Sequence, residues 1–153
     1  MIIIGIDPGL DGGIAVLDGK KIELLETIPT QIKSGFVKRQ VDTHELARIL
    51  RPFRDGKCYL EQVAARPMQG VSSVFSFGAT YGSIRGVLGA LEIPTYYIPP
   101  QSWKKSLRIS SKEDSIIAAK DVFKLDKLRK KDHNLAEALL IAHFAYMETK
   151  IGD

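Results

Sequence analysis

Residues 1–19 are MIIIGIDPGLDGGIAVLDG, and this stretch decides how we expect the chain to fold. A run of apolar, mostly β-branched residues ends on Asp7, a glycine-rich turn follows, and a second apolar run begins at Ile14. This pattern predicts a β-hairpin with a carboxylate at the end of a buried strand. Because side chains alternate along a strand, Ile3, Gly5 and Asp7 share one face. Gly5, which has no side chain, leaves room there for a substrate or another backbone.

The overall composition is that of an ordinary soluble protein of one domain, which we expect to span residues 1–153. The chain has 153 residues, of which 44% are hydrophobic and 26% are charged. Its single cysteine, Cys58, excludes an internal disulfide and a zinc site built from several cysteines. No apolar run approaches the roughly 20 residues of a transmembrane helix, and the N-terminus lacks the pattern of a signal peptide. We therefore expect a cytoplasmic protein.

Positive charge is concentrated in one part of the chain. The whole protein carries a net charge of +4. Residues 101–131 hold ten Lys or Arg against four Asp or Glu, a net charge of +6, so the remainder of the chain is net negative. One basic region on an otherwise near-neutral protein is typical of a binder of phosphate backbones. We therefore favour a nucleic-acid partner over a set of separately solvated helix lysines.

A second carboxylate is predicted near the end of a later strand. Residues 57–63 are KCYLEQV, an apolar strand pattern interrupted by Glu61. Alternation places Glu61 on the same face as Tyr59 and opposite Leu60. Glu61 therefore has the same kind of position as Asp7.

A long helix is predicted over residues 74–91, and glycine recurs within it every four residues. Each glycine in a helix interior is unfavourable by about 1 kcal/mol relative to alanine. The spacing leaves one helix face without side chains, so that another backbone can approach it. The neighbour is either the sheet of the same chain or a second subunit. We favour a homodimer through the face formed by Gly78, Gly82 and Gly86.

The last helix has one charged residue in an apolar sequence. From residue 133 to residue 147 the only formally charged side chain is Glu137. A helix that is apolar on nearly every side packs against other elements on most of them, and a buried carboxylate is unfavourable unless it is paired or binds a metal. We therefore infer a metal ligand at Glu137, with Asp132 beside it at the helix start. The alternative is that Asp132 only caps the helix and Glu137 reaches solvent.

Carboxylates from distant parts of the sequence are thus expected at one edge of a sheet. Asp7 and Glu61 end strands, whereas Asp132 and Glu137 open a helix that is able to cross the sheet there. Converging carboxylates repel one another, and hard divalent cations such as Mg²⁺ or Mn²⁺ relieve the repulsion. Two such ions about 4 Å apart can activate water and stabilise the leaving oxygen in phosphodiester hydrolysis.

This order of elements and acids resembles the ribonuclease H-like superfamily, and within it the RuvC-type Holliday junction resolvases, specifically their phage-encoded branch. The resemblance implies an α/β fold with a five-stranded mixed sheet, the first three strands antiparallel, flanked by helices. It covers nearly the whole chain. Besides the glycine-rich helix, the segments that carry it are IGIDPGL at 4–10, YLEQV at 59–63, IPPQSWKK at 98–105 and AEALLIA at 136–142.

The same resemblance implies a function. Such a protein is a homodimeric endodeoxyribonuclease that resolves four-way DNA junctions by paired nicks, in DNA recombination and repair. It uses two Mg²⁺ ions per active site, with Mn²⁺ as a substitute, and acts in the host cytoplasm if it is phage-encoded. The implied catalytic and metal-binding acids are Asp7, Glu61 and an acid pair at the last helix, which we assign to Asp132 and Glu137.

One position departs from the resolvase pattern. Such resolvases usually carry Asp or His three residues before the final acid, where this chain has Asn134. Helical geometry places His133 and Asn134 nearer the face of Glu137 than Asp132. We choose Asp132 as the fourth metal ligand because of its charge, and His133 and Asn134 are its competitors.

The loop that follows Glu61 flanks the acids and is predicted to contact DNA. Arg66 and Lys33 are candidate phosphate contacts. Met68 and Phe75 are candidates for insertion into an opened junction, although helix packing is the commoner role of such side chains. Lys104 is also a candidate catalytic residue that steadies the phosphate. The full set of predicted DNA-binding residues is Lys33, Arg66, Met68, Gln69, Phe75, Lys104, Lys105, Arg108, Lys130 and Lys131.

Three rival functions are compared with this one. A non-catalytic junction-binding protein is suggested by Asn134. An ATPase of the actin and sugar-kinase type is suggested by the glycine-rich first turn, but it needs a duplicated domain that 153 residues do not accommodate. A less selective branched-DNA or flap nuclease of the same fold is not distinguished by sequence. We expect the junction resolvase.

Overall fold

The computed structural model describes residues 1–32 and 39–152 of the chain. Within this part, no helix is both long and apolar enough to cross a membrane. The strands are β1 (Ile2–Asp7), β2 (Gly13–Asp18), β3 (Lys21–Thr27), β4 (Thr30–Ile32), β5 (Arg39–Val41), β6 (Lys57–Glu61) and β7 (Thr95–Ile98). The helices are α1 (Thr43–Leu50), α2 (Val71–Ala90), α3 (Pro100–Ser106), α4 (Lys112–Phe123) and α5 (His133–Ile151).

The main sheet has five strands in the order β3-β2-β1-β6-β7. β1, β2 and β3 pair antiparallel, whereas β6 pairs parallel to β1 and β7 parallel to β6. Parallel neighbours need crossover connections, and α1 and α2 lie in the two crossovers here. The predicted five-stranded mixed sheet with three antiparallel strands at its start is therefore confirmed.

A second, small sheet corrects one expectation. The sequence from residue 29 to residue 40 shows little periodicity and predicts a loop. Residues 33–38 lie outside the described part, and on either side of them β4 and β5 pair antiparallel, with Thr30 opposite Val41. Each of these strands has only three residues. A strand of three residues has too few positions to display an alternating pattern, so it could not be predicted from the sequence.

The side-chain alternation predicted for β1 divides the core into two clusters. Ile4 and Ile6 pack in one cluster with residues of α1 and α2. Ile3 packs in the other with Trp103 and residues of α4 and α5. Cys58 of β6 belongs to the first cluster, where it is fully buried and burial raises the pKa of its thiol. The helices therefore cover both faces of the main sheet.

Gly5 lets α5 lie directly on the sheet. A methyl group added to Gly5 would stand 2.7 Å from the backbone nitrogen of Ala142 and would also overlap the carbonyl oxygen of Ala138. Gly13 on β2 makes the same kind of approach, 2.7 Å from the carbonyl oxygen of Asn134. The space beside Gly5 is therefore occupied by a helix backbone rather than by a substrate.

The glycine-rich helix α2 has a buried side and, opposite it, a side formed by glycines. Its buried residues are Thr80, Ile84, Val87 and Leu88. On the opposite side, a Cβ added to Gly78, Gly82, Gly86 or Gly89 would meet no described atom within 4 Å. Within the described part of the chain, the sheet therefore does not fill the glycine face, and a second subunit at this face stays a prediction.

We expect Gly5→Ala to lower the free energy of unfolding by about 1–3 kcal/mol, the usual range for overpacking a core. The new methyl group meets backbone atoms, which cannot rotate away as a side chain does. Urea unfolding measures the change. The matched control is Gly70→Ala, where the methyl group meets nothing within 4 Å and we expect a change below about 1 kcal/mol. Equal losses in the two variants would contradict the packing described here.

Candidate active site

Two carboxylates lie side by side at the end of the parallel strand pair. Ile6 of β1 is in register with Leu60 of β6, so the next residues along, Asp7 and Glu61, are neighbours. Alternation turns both side chains toward the sheet face that α5 covers. Asp7 is 8% exposed and Glu61 is 7% exposed. Two ionisable acids are thus largely withdrawn from water at one point of the sheet edge.

A third carboxylate comes from α5. Glu137 lies in the second turn of this helix, and its side chain is 13% exposed. Its Oε1 accepts a hydrogen bond from Ser115 Oγ of α4 at 3.4 Å and lies 4.0 Å from the Nζ of Lys104. Because α5 packs directly on β1, Glu137 lies within electrostatic reach of both Asp7 and Glu61.

The pKa values of two of these acids, Asp7 and Glu61, are raised. The pKa of Asp7 is raised from 3.8 to about 8, first because burial removes water from its carboxylate and then because Glu137 and Glu61 repel a negative charge there. Lys104 acts in the opposite direction. Without a further cation, Asp7 therefore keeps its proton up to about neutral pH.

Glu61 is held by a hydrogen bond from a tryptophan. The indole Nε1 of Trp103 donates to Glu61 Oε2 at 2.7 Å, with both groups buried. Burial raises the pKa of Glu61, the Trp103 hydrogen bond and Lys104 lower it, and Glu137 raises it. No role of Trp103 in the site was predicted from the sequence. A buried indole N–H needs an acceptor, which is the signal in the sequence that could have revealed this role.

One short helix brings both polar partners to the acids. α3 begins directly after Pro99, and its residues Trp103 and Lys104 are consecutive. Trp103 is fully buried, while the side chain of Lys104 is 38% exposed and its Nζ lies 5.3 Å from the centre of the Trp103 ring. The lysine therefore stays partly in contact with solvent at the mouth of the site, where a negatively charged ligand could meet it.

The donor set fits a hard divalent cation. Asp7, Glu61 and Glu137 supply carboxylate oxygens, which Mg²⁺ and Mn²⁺ prefer. Among the described residues, Lys104 is the positive side chain that acts on all three acids. Burial raises the pKa of Asp7 most, and the negative charges of Glu137 and Glu61 raise it further. In residues 1–32 and 39–152, however, no three His, Cys, Asp or Glu side chains are close enough to hold a metal ion as they stand. Side-chain rotation would have to accompany binding.

The candidates for a fourth ligand differ in their surroundings. The carboxylate of Asp132 accepts hydrogen bonds from the backbone nitrogen of Arg129 at 2.9 Å and from its guanidinium at 3.0 and 3.2 Å. These bonds lower the pKa of Asp132. Asn134 Nδ2 donates to the backbone oxygen of Asp11 at 2.7 Å. His133 and Asn134 line a groove together with Glu137, and Asp132 is not among the lining residues.

Grooves lead away from the acids on two sides. One, of about 640 Å³, runs from Glu61 along residues 62–67 and reaches Gln69 and Lys104. The other, of about 480 Å³, joins Glu61 and Glu137 to the serines before α4. Arg66 and Lys104 line both grooves. These two cations are therefore the predicted DNA-binding residues nearest the acids.

The remaining predicted DNA-binding residues lie farther along the surface. Met68 is fully exposed with a left-handed backbone (φ 67°), and Phe75 of α2 is 73% exposed. The backbone nitrogen of Arg66 donates to Gln69 Oε1 at 3.2 Å, which holds the loop in a turn. Lys33 lies outside the described residues. The other predicted basic residues lie beyond the grooves and are exposed. They are Lys105, Arg108, Lys130 and Lys131.

Solved structures that are similar to this chain include two of RuvC and one of a Holliday junction resolvase. Thermus thermophilus RuvC is 19% identical, with 99% of this chain and 97% of that chain covered and a TM-score of 0.64. T. thermophilus RuvC in complex with Holliday junction substrate is 20% identical at the same coverage, with a TM-score of 0.73. The yeast mitochondrial Holliday junction resolvase Ydc2 is 14% identical, with 98% and 80% covered and a TM-score of 0.58.

These similarities confirm the predicted RuvC-type, ribonuclease H-like fold. No protein-family model and no curated protein sequence matches the chain. The phage-encoded branch stays a prediction. At such identities the likeness concerns the fold, so the activity has to be argued from the site itself.

The raised pKa of Asp7 predicts how stability depends on pH without divalent metal. The folded state binds the Asp7 proton more tightly than the unfolded state, so the Asp7 contribution to stability is present at pH 4 and is lost as pH rises toward 8. Asp7→Asn removes this titration. We expect the variant to gain stability relative to wild type by on the order of 3 kcal/mol between pH 5 and pH 8.

Urea unfolding in EDTA at the two pH values measures this difference. Asp121→Asn, which changes an exposed acid of α4, is the control and should leave the pH dependence as in wild type. A pH dependence that is the same in Asp7→Asn and wild type would show that Asp7 titrates normally.

Proposed function

We propose that this chain is a divalent-metal-dependent endodeoxyribonuclease that resolves four-way DNA junctions by paired nicks. The observation that carries the proposal is that Glu61 and Glu137 line a groove together with Arg66 and Lys104, and that Asp7, from a third element, lies within electrostatic reach of both acids. The shared fold with RuvC, one structure of which holds a Holliday junction, supports the choice of substrate. We include in the proposal one nuclease domain over residues 1–153, the phage-encoded branch and action in the host cytoplasm.

The proposed metal ligands are Asp7, Glu61 and Glu137. When bound, two Mg²⁺ ions, or Mn²⁺ in their place, would activate a water molecule and stabilise the charge on the scissile phosphate. Repulsion among the acids favours drawing their side chains around positive charge. For the fourth ligand we now favour Asn134 over Asp132: the Asn134 amide nitrogen bonds the Asp11 backbone, which leaves its carbonyl oxygen as a hard donor. His133 remains a competitor.

The chain's own cations would bind and orient the DNA. Lys104 lies 4.0 Å from Glu137, where its charge would attract the scissile phosphate and stabilise negative charge as it develops. Arg66 would contact the DNA backbone in the neighbouring part of the groove. Met68 and Phe75 are the exposed apolar side chains that would contact bases at the open centre of a junction. Lys105, Arg108, Lys130 and Lys131 would contact phosphates farther along the arms.

The paired nicks require two active sites, and we propose that a second copy of the chain supplies the other one. The open glycine face of α2 allows two helix backbones to approach closely. Val71 is 87% exposed on the same helix, toward its start. Its burial against a partner would add apolar area to a contact that the glycines keep close.

A junction-cleavage assay tests the proposed activity. We expect wild type with Mg²⁺ to nick a synthetic four-way junction, and Asp7→Asn, Glu61→Gln and Glu137→Gln each to lose about 10³-fold or more of that rate, because each change removes several kcal/mol of transition-state stabilisation. Junction binding by Asp7→Asn should be retained or strengthened, since a charge that repels phosphate is removed. Gel electrophoresis of labelled strands measures both.

The controls in this assay separate the rival functions. Glu148→Gln changes an exposed acid on the same helix as Glu137 and should cleave as wild type. Binding without nicking by wild type would indicate a non-catalytic junction-binding protein. Equal cleavage of flaps and replication forks would indicate the less selective nuclease, and equal cleavage of linear duplex would contradict structure-specific cleavage altogether.

The dimer has its own test. We expect Gly82→Glu to yield monomers in sedimentation at micromolar concentration, because the new side chain occupies the face where the second backbone approaches. The monomer itself should be at least as stable as before, since glycine is the poorer helix former by about 1 kcal/mol. Ile117→Glu, at an exposed position of α4, is the control and should remain dimeric. A wild-type monomer would contradict the proposed interface.

A further inference from the structure

The hydrogen bond between Trp103 and Glu61 joins a buried donor to an acid of the site. Trp103 is fully buried and is the only tryptophan of the chain. Its Nε1 lies 2.7 Å from Glu61 Oε2, although the two residues are 42 positions apart in sequence. Hydrogen bonds to a charged acceptor are shorter and stronger than those between neutral groups. The contact is therefore more than a packing coincidence.

The bond constrains how Glu61 can present its carboxylate. A glutamate side chain has three rotatable bonds, and fixing one carboxylate oxygen leaves the other, Oε1, as the atom that can turn toward Asp7 and Glu137. Indole N–H is a donor only, so it accepts nothing from a neighbouring group and always presents a proton to Glu61. Held in this way, the carboxylate loses little further freedom when it binds a ligand.

The donor itself is held rigidly. Trp103 packs in the core cluster that contains Ile98 of β7 and residues of α5, and α3 starts at Pro100 with its backbone angle preset by the proline ring. The indole therefore cannot follow Glu61 if the carboxylate moves. Tyr81 contacts the same residue differently, since its hydroxyl donates to the backbone oxygen of Glu61 at 3.4 Å.

We propose that Trp103 is a positioning residue that fixes the Glu61 carboxylate and thereby sets the affinity of the site for divalent cations. This inference rests on the proposed function, because it assumes that Glu61 is a metal ligand. Partners that hydrogen-bond to metal ligands typically contribute 10–100-fold to metal affinity. Trp103 would act through Glu61 and would touch neither the metal nor the DNA.

Trp103→Phe is the variant that tests this role, because it keeps an aromatic ring in the core and removes only the donor. We expect Mn²⁺ to bind about 10–100-fold more weakly to this variant than to wild type in calorimetry without DNA. The Mg²⁺ concentration for half-maximal junction nicking should rise by a similar factor, and saturating Mg²⁺ should restore most of the rate. A purely structural role would lower stability and leave metal affinity unchanged.

Tyr81→Phe is the matched control. It removes a hydroxyl that bonds the backbone of Glu61 and leaves the carboxylate with its indole partner. We expect wild-type metal affinity in this variant. Weakening of metal binding to the same extent in both variants would overturn the inference, and so would wild-type affinity in Trp103→Phe.

The single tryptophan supplies a second readout that needs no Trp103 variant. Because the indole touches Glu61 directly, we expect Mg²⁺ to change the fluorescence of Trp103 in wild type and in Glu148→Gln, but not in Glu61→Gln. If Trp103→Phe does not fold, an unchanged emission in wild type still overturns the inference. Metal binding and the emission change without any nicking would overturn the proposed function alone, since neither measurement uses DNA.

Discussion

The direct contact between β1 and α5 is the constraint on which the rest of the site depends. Gly5 has no side chain, so the helix backbone reaches the strand at Ala138 and Ala142. Glu137 is next to Ala138 and is thereby carried to the edge where β1 ends on Asp7. This contact thus completes the packing of one core cluster and brings together Asp7 and Glu137, which lie 130 residues apart in sequence. A longer side chain at position 5 would weaken both the packing and the approach of these two acids.

Packing brings the three acids of the site together, although their negative charges repel one another. Burial and mutual repulsion raise the pKa of Asp7 to about 8, so the folded chain without a divalent cation binds a proton that the unfolded chain does not. Lys104 and the indole of Trp103 relieve part of this repulsion. Apolar residues at these positions would make the folded protein more stable. Acids that repel one another in this way favour a bound cation.

Local patterns explain which features the sequence could predict. Alternation is a property of neighbouring residues, so the positions of Asp7 and Glu61 at the ends of strands followed from two short stretches of sequence. Glu137 stood out because burial of an unpaired acid is costly wherever it occurs. Helix starts are harder to place from sequence: the N-cap of α4 is Ser111, although Ser110 also precedes an acid by three positions.

The hydrogen-bond partners of the site's side chains could not be predicted. The partner of Asp132 is Arg129, three residues earlier, and the pairing depends on a single turn of 3-10 helix that has no sequence pattern of its own. The direction of the Trp103 N–H depends on how α3 meets β6, which no spacing in the chain records. Secondary structure was therefore the easier part, and the identity of each acid's partner was the harder part.

The burial of Cys58 has a practical consequence. The only thiol of the chain sits in the middle of the sheet, and its raised pKa keeps it in the unreactive protonated form. Maleimide and spin-label reagents would therefore react only with a cysteine introduced elsewhere. The native sequence can serve directly as the background for distance measurements, for example from labels placed on either side of the glycine face.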